Sequence, residues 1–369
     1  MSLQTKFTTV RTELSKALIE RENEVDLALT GLLSGENVLL VGPPGCGKTL
    51  LLDSLLKWMS GCNKFQVLLT KFTTPNEVFG PISVAGLTSD KYHRVSAGML
   101  QEADTALLDE VFKASPAILN TLLKVLNERV YSEGGVDRPV PLKLALAASN
   151  EWPNAEQELG ALFDRFLLRK SVLPIRSLAG RRRLMRERDH NPKLSTTLTT
   201  AELAQAKKEV LSLPILEETW EAIEKITEEC KREGIFPSDR RLYKLVNVCQ
   251  AFTYLNGGSS VEPHHLEVLQ HVLWDDPAEQ PQKVASIVMK VACPVLEQVT
   301  QALIMVDEVM EKTDYREITS IRTAGKKLQD ILGSLQKIGG DASGRVDKAI
   351  EYLKDCGKSL RQKAMDAVS

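Results

Sequence analysis

Gly42-Pro43-Pro44-Gly45-Cys46-Gly47-Lys48-Thr49 sets glycines, an amine and a hydroxyl at the spacing GxxxxGK[ST]. An apolar run, Asn37 to Val41, precedes it and a helical stretch, Leu50 to Met59, follows, which is the context that phosphate binding needs. The glycines let successive backbone N–H groups curl around an anion, and the helix adds its positive end. Lys48 can reach the β- and γ-phosphates, and the Thr49 hydroxyl can ligate Mg²⁺. A second apolar run, Ala106-Leu107-Leu108, ends in Asp109-Glu110, 60 residues after Thr49. Asp109 there can hold the same ion, and Glu110 can orient and polarise an attacking water. Asn150 follows another apolar run, where its amide can sense a γ-phosphate. Arg165, within Leu162-Phe163-Asp164-Arg165-Phe166, can lend a guanidinium to a phosphate held by a neighbouring subunit, worth roughly 10³–10⁵ in rate. Taken singly, Asn150 reads equally as a turn residue and Asp164–Arg165 as a surface pair.

These groups need a scaffold. Apolar runs at 37–41, 67–69, 106–108, 143–148 and 167–168 alternate with helical stretches at 50–59 and 116–129. That alternation predicts an α/β core with a parallel sheet of five strands, over residues 1–175. Residues 7–33 carry apolar positions at helical spacing. Residues 75–100 are rich in Gly, Ser and Pro and read as a loop with a hairpin inside. The stretch 132–137 is a turn between extended runs. Residues 176–275 read as all-helical, with a charged, less ordered start from Arg181 to Thr200. A linker at 276–281 leads into a C-terminal helical bundle, 276–369, interrupted near Gly339-Gly340.

The chain has 369 residues, with 47 Lys+Arg against 49 Asp+Glu and a formal charge of −2. This balance argues against a general polyanion binder. Seventeen of the 19 aromatic residues lie at or before Trp274, so the tail is built differently from the body. Six cysteines without a CxxC pair point to reduced thiols and a cytoplasmic setting. The start shows no apolar signal core, and no run approaches the roughly 20 apolar residues of a spanning helix.

Taken together, the motifs resemble the AAA+ ATPases, and among them the MoxR family and its RavA-like branch. Besides the Gly-rich loop, the resemblance rests on Phe79-Gly80-Pro81-Ile82-Ser83, Leu107 to Ala114, Leu119 to Leu123, Leu126-Asn127-Glu128-Arg129, Ala147 to Glu151 and Leu162 to Phe166. It implies ATP and Mg²⁺ as ligands, a helical lid over 176–275, and a homo-oligomeric ring, usually a hexamer. Carried over by position, Gly42 and the stretch Gly45, Cys46, Gly47, Lys48, Thr49 and Leu50 would wrap the phosphates. Asn150 would be the first sensor and Arg165 the arginine finger. Ser238-Asp239-Arg240-Arg241 matches the second-sensor segment, with Arg240 preferred over Arg241. The backbone near Ile19 would meet adenine. Phe79–Leu100 and Tyr131–Pro141 match two inserted hairpins. The resemblance also implies a protein partner with a von Willebrand factor A domain. It weakens after Pro174, and the tail leaves no room for RavA's β-rich insertion.

The remaining features weigh less. His264, His265 and His271 lack an acid or Cys at ligand spacing, so packing is the better reading. Cys46 could be redox-sensitive at a helix start, but packing beside a nucleotide suffices. Arg181-Arg182-Arg183, Arg186 and Arg188 read as a solvated helix face paired with Glu187 and Asp189. Glu128-Arg129 either faces a neighbouring site or caps its helix. A nucleic-acid translocase or loader is the alternative function; the charge balance and the lack of a binding module oppose it.

Overall fold

The computed structural model describes residues 2–89, 92–152, 160–187, 189–315, 317–338 and 345–366. Two compact units divide between Ala285 and Ser286. Among the described residues the first holds nine strands: β1 (Val38–Val41), β2 (Met59–Ser60), β3 (Lys64–Leu68), β4 (Thr105–Asp109), β5 (Val130–Glu133), β6 (Val136–Pro139), β7 (Leu144–Ser149), β8 (Leu168–Ser171) and β9 (Leu198–Thr199). Strands β3, β4, β7, β1 and β8, in that spatial order, form a five-stranded parallel sheet. Strands β1 and β7 are buried throughout, which is why they read as unbroken apolar runs. The register pairs Val41 with Ser149 and Asp109 with Ala148. The carboxyl ends of β1, β4 and β7 therefore lie level, delivering Gly42, Asp109–Glu110 and Asn150 to one edge, where open α/β sheets bind ligands.

The apolar pattern at 7–33 resolves into two helices, α1 (Leu3–Ala17) and α2 (Glu22–Ser34), with a break between them. Glu20 in the break has φ 56°, a left-handed backbone that ends helical continuity. Helix α3 (Lys48–Trp58) starts directly from the Gly-rich loop, with Gly47 as its N-cap. Next come α4 (Pro75–Phe79), closed by a Thr74–Glu77 capping box, and α5 (Val84–Leu87). Among the described residues, the 79–100 segment holds this short helix and one antiparallel bridge, Ile82 to Arg94, instead of a regular hairpin. Helix α6 (Pro116–Glu128) carries Pro in its first turn. Strands β5 and β6 do form an antiparallel hairpin, turned by Gly134 and Gly135 at positive φ. Helix α7 (Gly160–Phe163) precedes Arg165.

Beyond β8 the chain is mostly helical, but the region expected to be all-helical also holds the two-residue β9, which pairs in parallel with β2. The charged start of this region is ordered as α8 (Leu178–Arg186), capped by Ser177, contrary to the sequence expectation. Arg188 lies outside the described residues. Helices α9 (Thr200–Leu211), α10 (Glu217–Arg232) and α11 (Asp239–Leu255) and a 3₁₀ segment (Pro263–His271) complete the lid. Helix α11 packs on α2, and Lys244 pairs with Glu36 at 2.7 Å. Helix α12 (Gln280–Ala292) runs across the division between units. In the second unit, α13 (Pro294–Lys312), α14 (Ile318–Ile338) and α15 (Arg345–Asp366) pack around Val306, Leu328, Leu335, Leu353 and Leu360. The expected interruption at Gly339-Gly340 lies outside the described residues. Among the described residues no single helix is long and apolar enough to cross a membrane.

Candidate active site

The Gly-rich loop is clamped at its root. Gly42 donates its N–H to the Ser149 carbonyl (3.1 Å) on β7, and Val172 beyond β8 donates to Val41 (2.7 Å). A Cβ on Gly42 would lie 2.0 Å from the Val172 carbonyl oxygen, so only glycine fits. Gly45 and Gly47 sit at φ +81° and +77°, the left-handed region that glycine enters freely. Arg21, almost fully buried, closes the loop from behind: it donates to the carbonyls of Cys46 (3.0 Å), Glu20 (2.6 Å) and Leu173 (2.8 Å).

At the strand ends the chemical groups meet. Lys48 donates to the carbonyls of Gly42 (2.6 Å) and Pro43 (3.0 Å) and to Asn150 Oδ1 (3.0 Å). Burial pushes its amine below the ordinary lysine value, while Cys46, Glu110 and Asp109 pull the other way. The Thr49 hydroxyl lies 3.1 Å from Asp109 Oδ2. Glu110 has φ 53°, and its carboxylate accepts from the Asn150 amide side chain, from the Asn150 N–H (3.3 Å) and from Lys113 (3.2 Å). A strained backbone at this position is a feature functional sites often carry. An amine, a hydroxyl, two carboxylates and an amide thus share one hydrogen-bonded cluster. The paired oxygens of Thr49 and Asp109 suit a hard divalent cation.

A cavity of about 480 Å³ adjoins this cluster and is lined by Ile19, Gly45, Cys46, Gly47 and Leu50, with Pro174 and Ile175. Its apolar end, beside Ile19, suits a flat base, and its glycine end suits phosphates. Arg181 and His190 also line it. Arg181 stays exposed, as the solvated-face reading of this stretch expects, with Arg183 paired to Glu187 at 2.8 Å, and α8 also brings Arg181 to the cavity rim. Glu20 explains why: its carboxylate accepts from the backbone of Arg176 (2.7 Å) and Ser177 (3.0 Å) and from the Ser177 hydroxyl (2.5 Å), docking the start of α8 beside the α1–α2 break. The Ser177 hydroxyl, then the Arg176 amide, hold this carboxyl below its usual range.

Arg165 and Arg240 occupy another cluster, and neither lines the cavity. Asp164 accepts from Arg241 (3.0 Å), Arg240 (3.0 Å) and Arg165 (3.3 Å). Arg240, the preferred second-sensor residue, reaches Asp164. Burial, then the neighbouring Arg240, lower the Arg165 pKa. Asn37 fixes the Arg165 backbone, donating to its carbonyl at 3.0 Å. Arg129 donates to Asn37 Oδ1 (2.9 Å) and the Leu126 carbonyl (2.9 Å), so it serves its own chain as a helix-end clamp. Arg241 is 1% exposed and also pairs with Asp275. Behind it, Arg169 on β8 is fully buried, 4.3 Å from the Phe163 ring and 5.0 Å from that of Trp274. Burial, then Arg241, push the Arg169 pKa down to about 9.

Sequence reasoning missed Arg21, Glu20, Arg169 and the Arg181 placement. Glu20-Arg21 follows the adenine-side Ile19 directly, a proximity that could have flagged it. Arg169 carried no signal, since a charge on a short run reads as exposed. The histidines behave as packing groups: His265 and His271 are held well below the ordinary histidine range by burial, and no group of three or more potential metal ligands occurs among the described residues.

Sheet order, phosphate loop and the Asp109–Glu110–Asn150 edge define a P-loop nucleotide-binding protein of the AAA+ class. Comparison places it more closely. A model described as the MoxR domain in the MoxR-vWA-beta-propeller ternary systems matches residues 5–207, and an AAA lid domain model matches 218–288. The chain belongs to the MoxR family of AAA+ ATPases. An uncharacterised protein of Methanocaldococcus jannaschii is 35% identical over 94% of this chain and 92% of its own length. The chaperone MoxR1 of Mycobacterium tuberculosis is 28% identical over 43% of this chain and 42% of its own. A solved structure of a provisionally assigned ATPase from Cytophaga hutchinsonii matches in fold, with TM-score 0.62 and 19% identity, over 78% of this chain and 94% of that one.

Proposed function

We propose that this chain hydrolyses ATP as one subunit of a ring and uses the cycle to remodel a protein partner with a von Willebrand factor A domain. The observation that carries the hydrolytic reading is the Lys48–Asn150–Glu110 contact set beside Thr49–Asp109. Lys48 is poised to leave its carbonyl contacts for β- and γ-phosphate oxygens. Asn150, bonded to both Lys48 and Glu110, would report the γ-phosphate to the base. Glu110 would orient a water and accept its proton. Thr49 and Asp109 would hold Mg²⁺, which when bound neutralises charge on the phosphate oxygens. Arg165 and Arg240, gathered by Asp164 away from the chain's own cavity, suit delivery to a neighbouring subunit's nucleotide. The partner reading follows the systems named in the matched family description. Placement in the RavA-like branch rests on the quoted motif stretches alone. A nucleic-acid translocase remains the second class, favoured only by DNA-stimulated turnover with steep salt dependence.

The test compares wild type with Glu110→Gln. The variant should bind ATP as tightly as wild type and lose about 10²–10⁴ in turnover, the scale of a general base. Equal turnover would refute the role given to Glu110.

A further inference from the structure

The three-helix bundle, α13 to α15, lies wholly outside the residues that the family models match, which end at 288. Between α14 and α15 its surface opens into a groove of about 870 Å³. Its apolar lining is the half-buried Leu332 above the core leucines Leu328, Leu353 and Leu360, which are 2–4% exposed at its floor. Arg322, Lys326, Lys354 and Lys358 also line it, and all four are exposed. Two helix glycines open the space. A Cβ on Gly357 would meet no atom within 4 Å, and one on Gly325 would meet only Leu360 at 3.7 Å. Glycine in a helix interior costs about 0.5–1 kcal/mol relative to Ala, and no close backbone approach accounts for it at either position. Their effect is room. The lined part of α14, Arg322 to Leu332, is about 15 Å long at the helical rise.

The charge is equally one-sided. Residues 286–369 hold 13 Lys and Arg against 12 Asp and Glu, yet among the described residues no acid lines the groove. Among the described residues only Lys358 of the four cations has a carboxylate partner, Asp355 at 2.9 Å. We propose that this groove docks an amphipathic helix of a partner protein, about three turns long, with an apolar stripe for the leucines and acidic flanks for the cations. This is helix-in-groove recognition, with the charges setting specificity. The leucine floor favours a protein helix over nucleic acid, whose single strands stack on aromatic rings; among the described residues no aromatic lines this groove.

The test titrates the full chain into a labelled synthetic helix of about 14 residues, with leucines at i, i+3, i+4 and i+7 and glutamates on both flanks. A matched peptide with lysine flanks is the control. The glutamate peptide should bind at least about tenfold tighter. Gly357→Leu fills the groove with a better helix former; it should keep or raise the melting temperature and weaken binding about tenfold or more. Lys326→Glu with Lys354→Glu should reverse the peptide preference. No binding of the glutamate peptide, equal affinity for both peptides, or unchanged binding by Gly357→Leu overturns the proposal. So does tighter binding to anionic phospholipid vesicles or to single-stranded DNA than to the glutamate peptide.

Discussion

Asp164→Asn removes one formal charge from the point where three guanidinium groups converge. In the native cluster Oδ1 accepts from Arg241, while Oδ2 accepts from Arg240 and Arg165. Asparagine retains one acceptor and turns the other oxygen into a donor. The remaining oxygen should turn toward Arg241, because that side chain is 1% exposed and its Nε already lacks a partner. Arg240, 39% exposed, can exchange its bond for water. A hydrogen bond to a charged group contributes about 1.5–3 kcal/mol, against about 1 for a neutral one, and an exposed pair about 0.2–1. Weakening the first and losing the second destabilises the first unit by about 2 kcal/mol. Urea unfolding followed by tryptophan fluorescence would read this, since Trp152 and Trp274 pack edge to face at 5.6 Å in the same region. Double-mutant cycles should give about 2 kcal/mol of coupling between Asp164 and Arg241 and below about 1 between Asp164 and Arg240. Wild-type stability in Asp164→Asn, or the reverse order of couplings, would show that burial does not rank these bonds.

Gly42→Ala should destabilise the core by about 1–3 kcal/mol through overpacking and abolish ATP binding, because the added carbon meets the Val172 carbonyl at 2.0 Å; an unchanged melting curve would contradict it. Arg165→Ala and Lys48→Ala should each be inactive alone, whereas an equal mixture should recover about a quarter of the wild-type rate if each site takes its arginine from a neighbour. A mixture that stays inactive would refute delivery of Arg165 to a neighbouring subunit's site. Burial, then the neighbouring His264, lower the His265 pKa to about 4, and its Nδ1 accepts from the Glu262 N–H at 3.1 Å. The unfolded chain binds that proton near pH 6.5 and the folded one does not, so the stability from neutral His265 is full above about pH 6.5 and lost as pH falls toward 4. Melting temperature against pH should show a flatter slope over that window in His265→Gln.

The sheet was legible where its strands are buried on both faces. Val38–Val41 and Leu144–Ser149 are apolar runs whose identity depends little on partners. The phosphate loop was legible because backbone geometry demands its glycines. What stayed hidden depends on pairing across long sequence distances. Arg240 lies 76 residues from Asp164, and its reach toward Asp164 follows from how α11 is held on the core. Glu20 and Ser177 lie 157 apart, so nothing local marks the helix that brings Arg181 to the cavity. The break at Glu20 escaped detection because apolar spacing runs through it with little change of phase.

Arg21 carries a consequence for synthesis. Its three acceptors include Cys46, 25 residues on, and Leu173, 152 residues on. During translation the first bond becomes available early, but the second must wait until the last core strand has emerged, and that strand also pairs directly with β1. The nascent chain therefore carries its phosphate-binding sequence long before it owns a braced phosphate-binding loop. On the proposed function, nucleotide affinity would rise only as the core closes, and ATP would act on the finished core as a late, selective folding ligand.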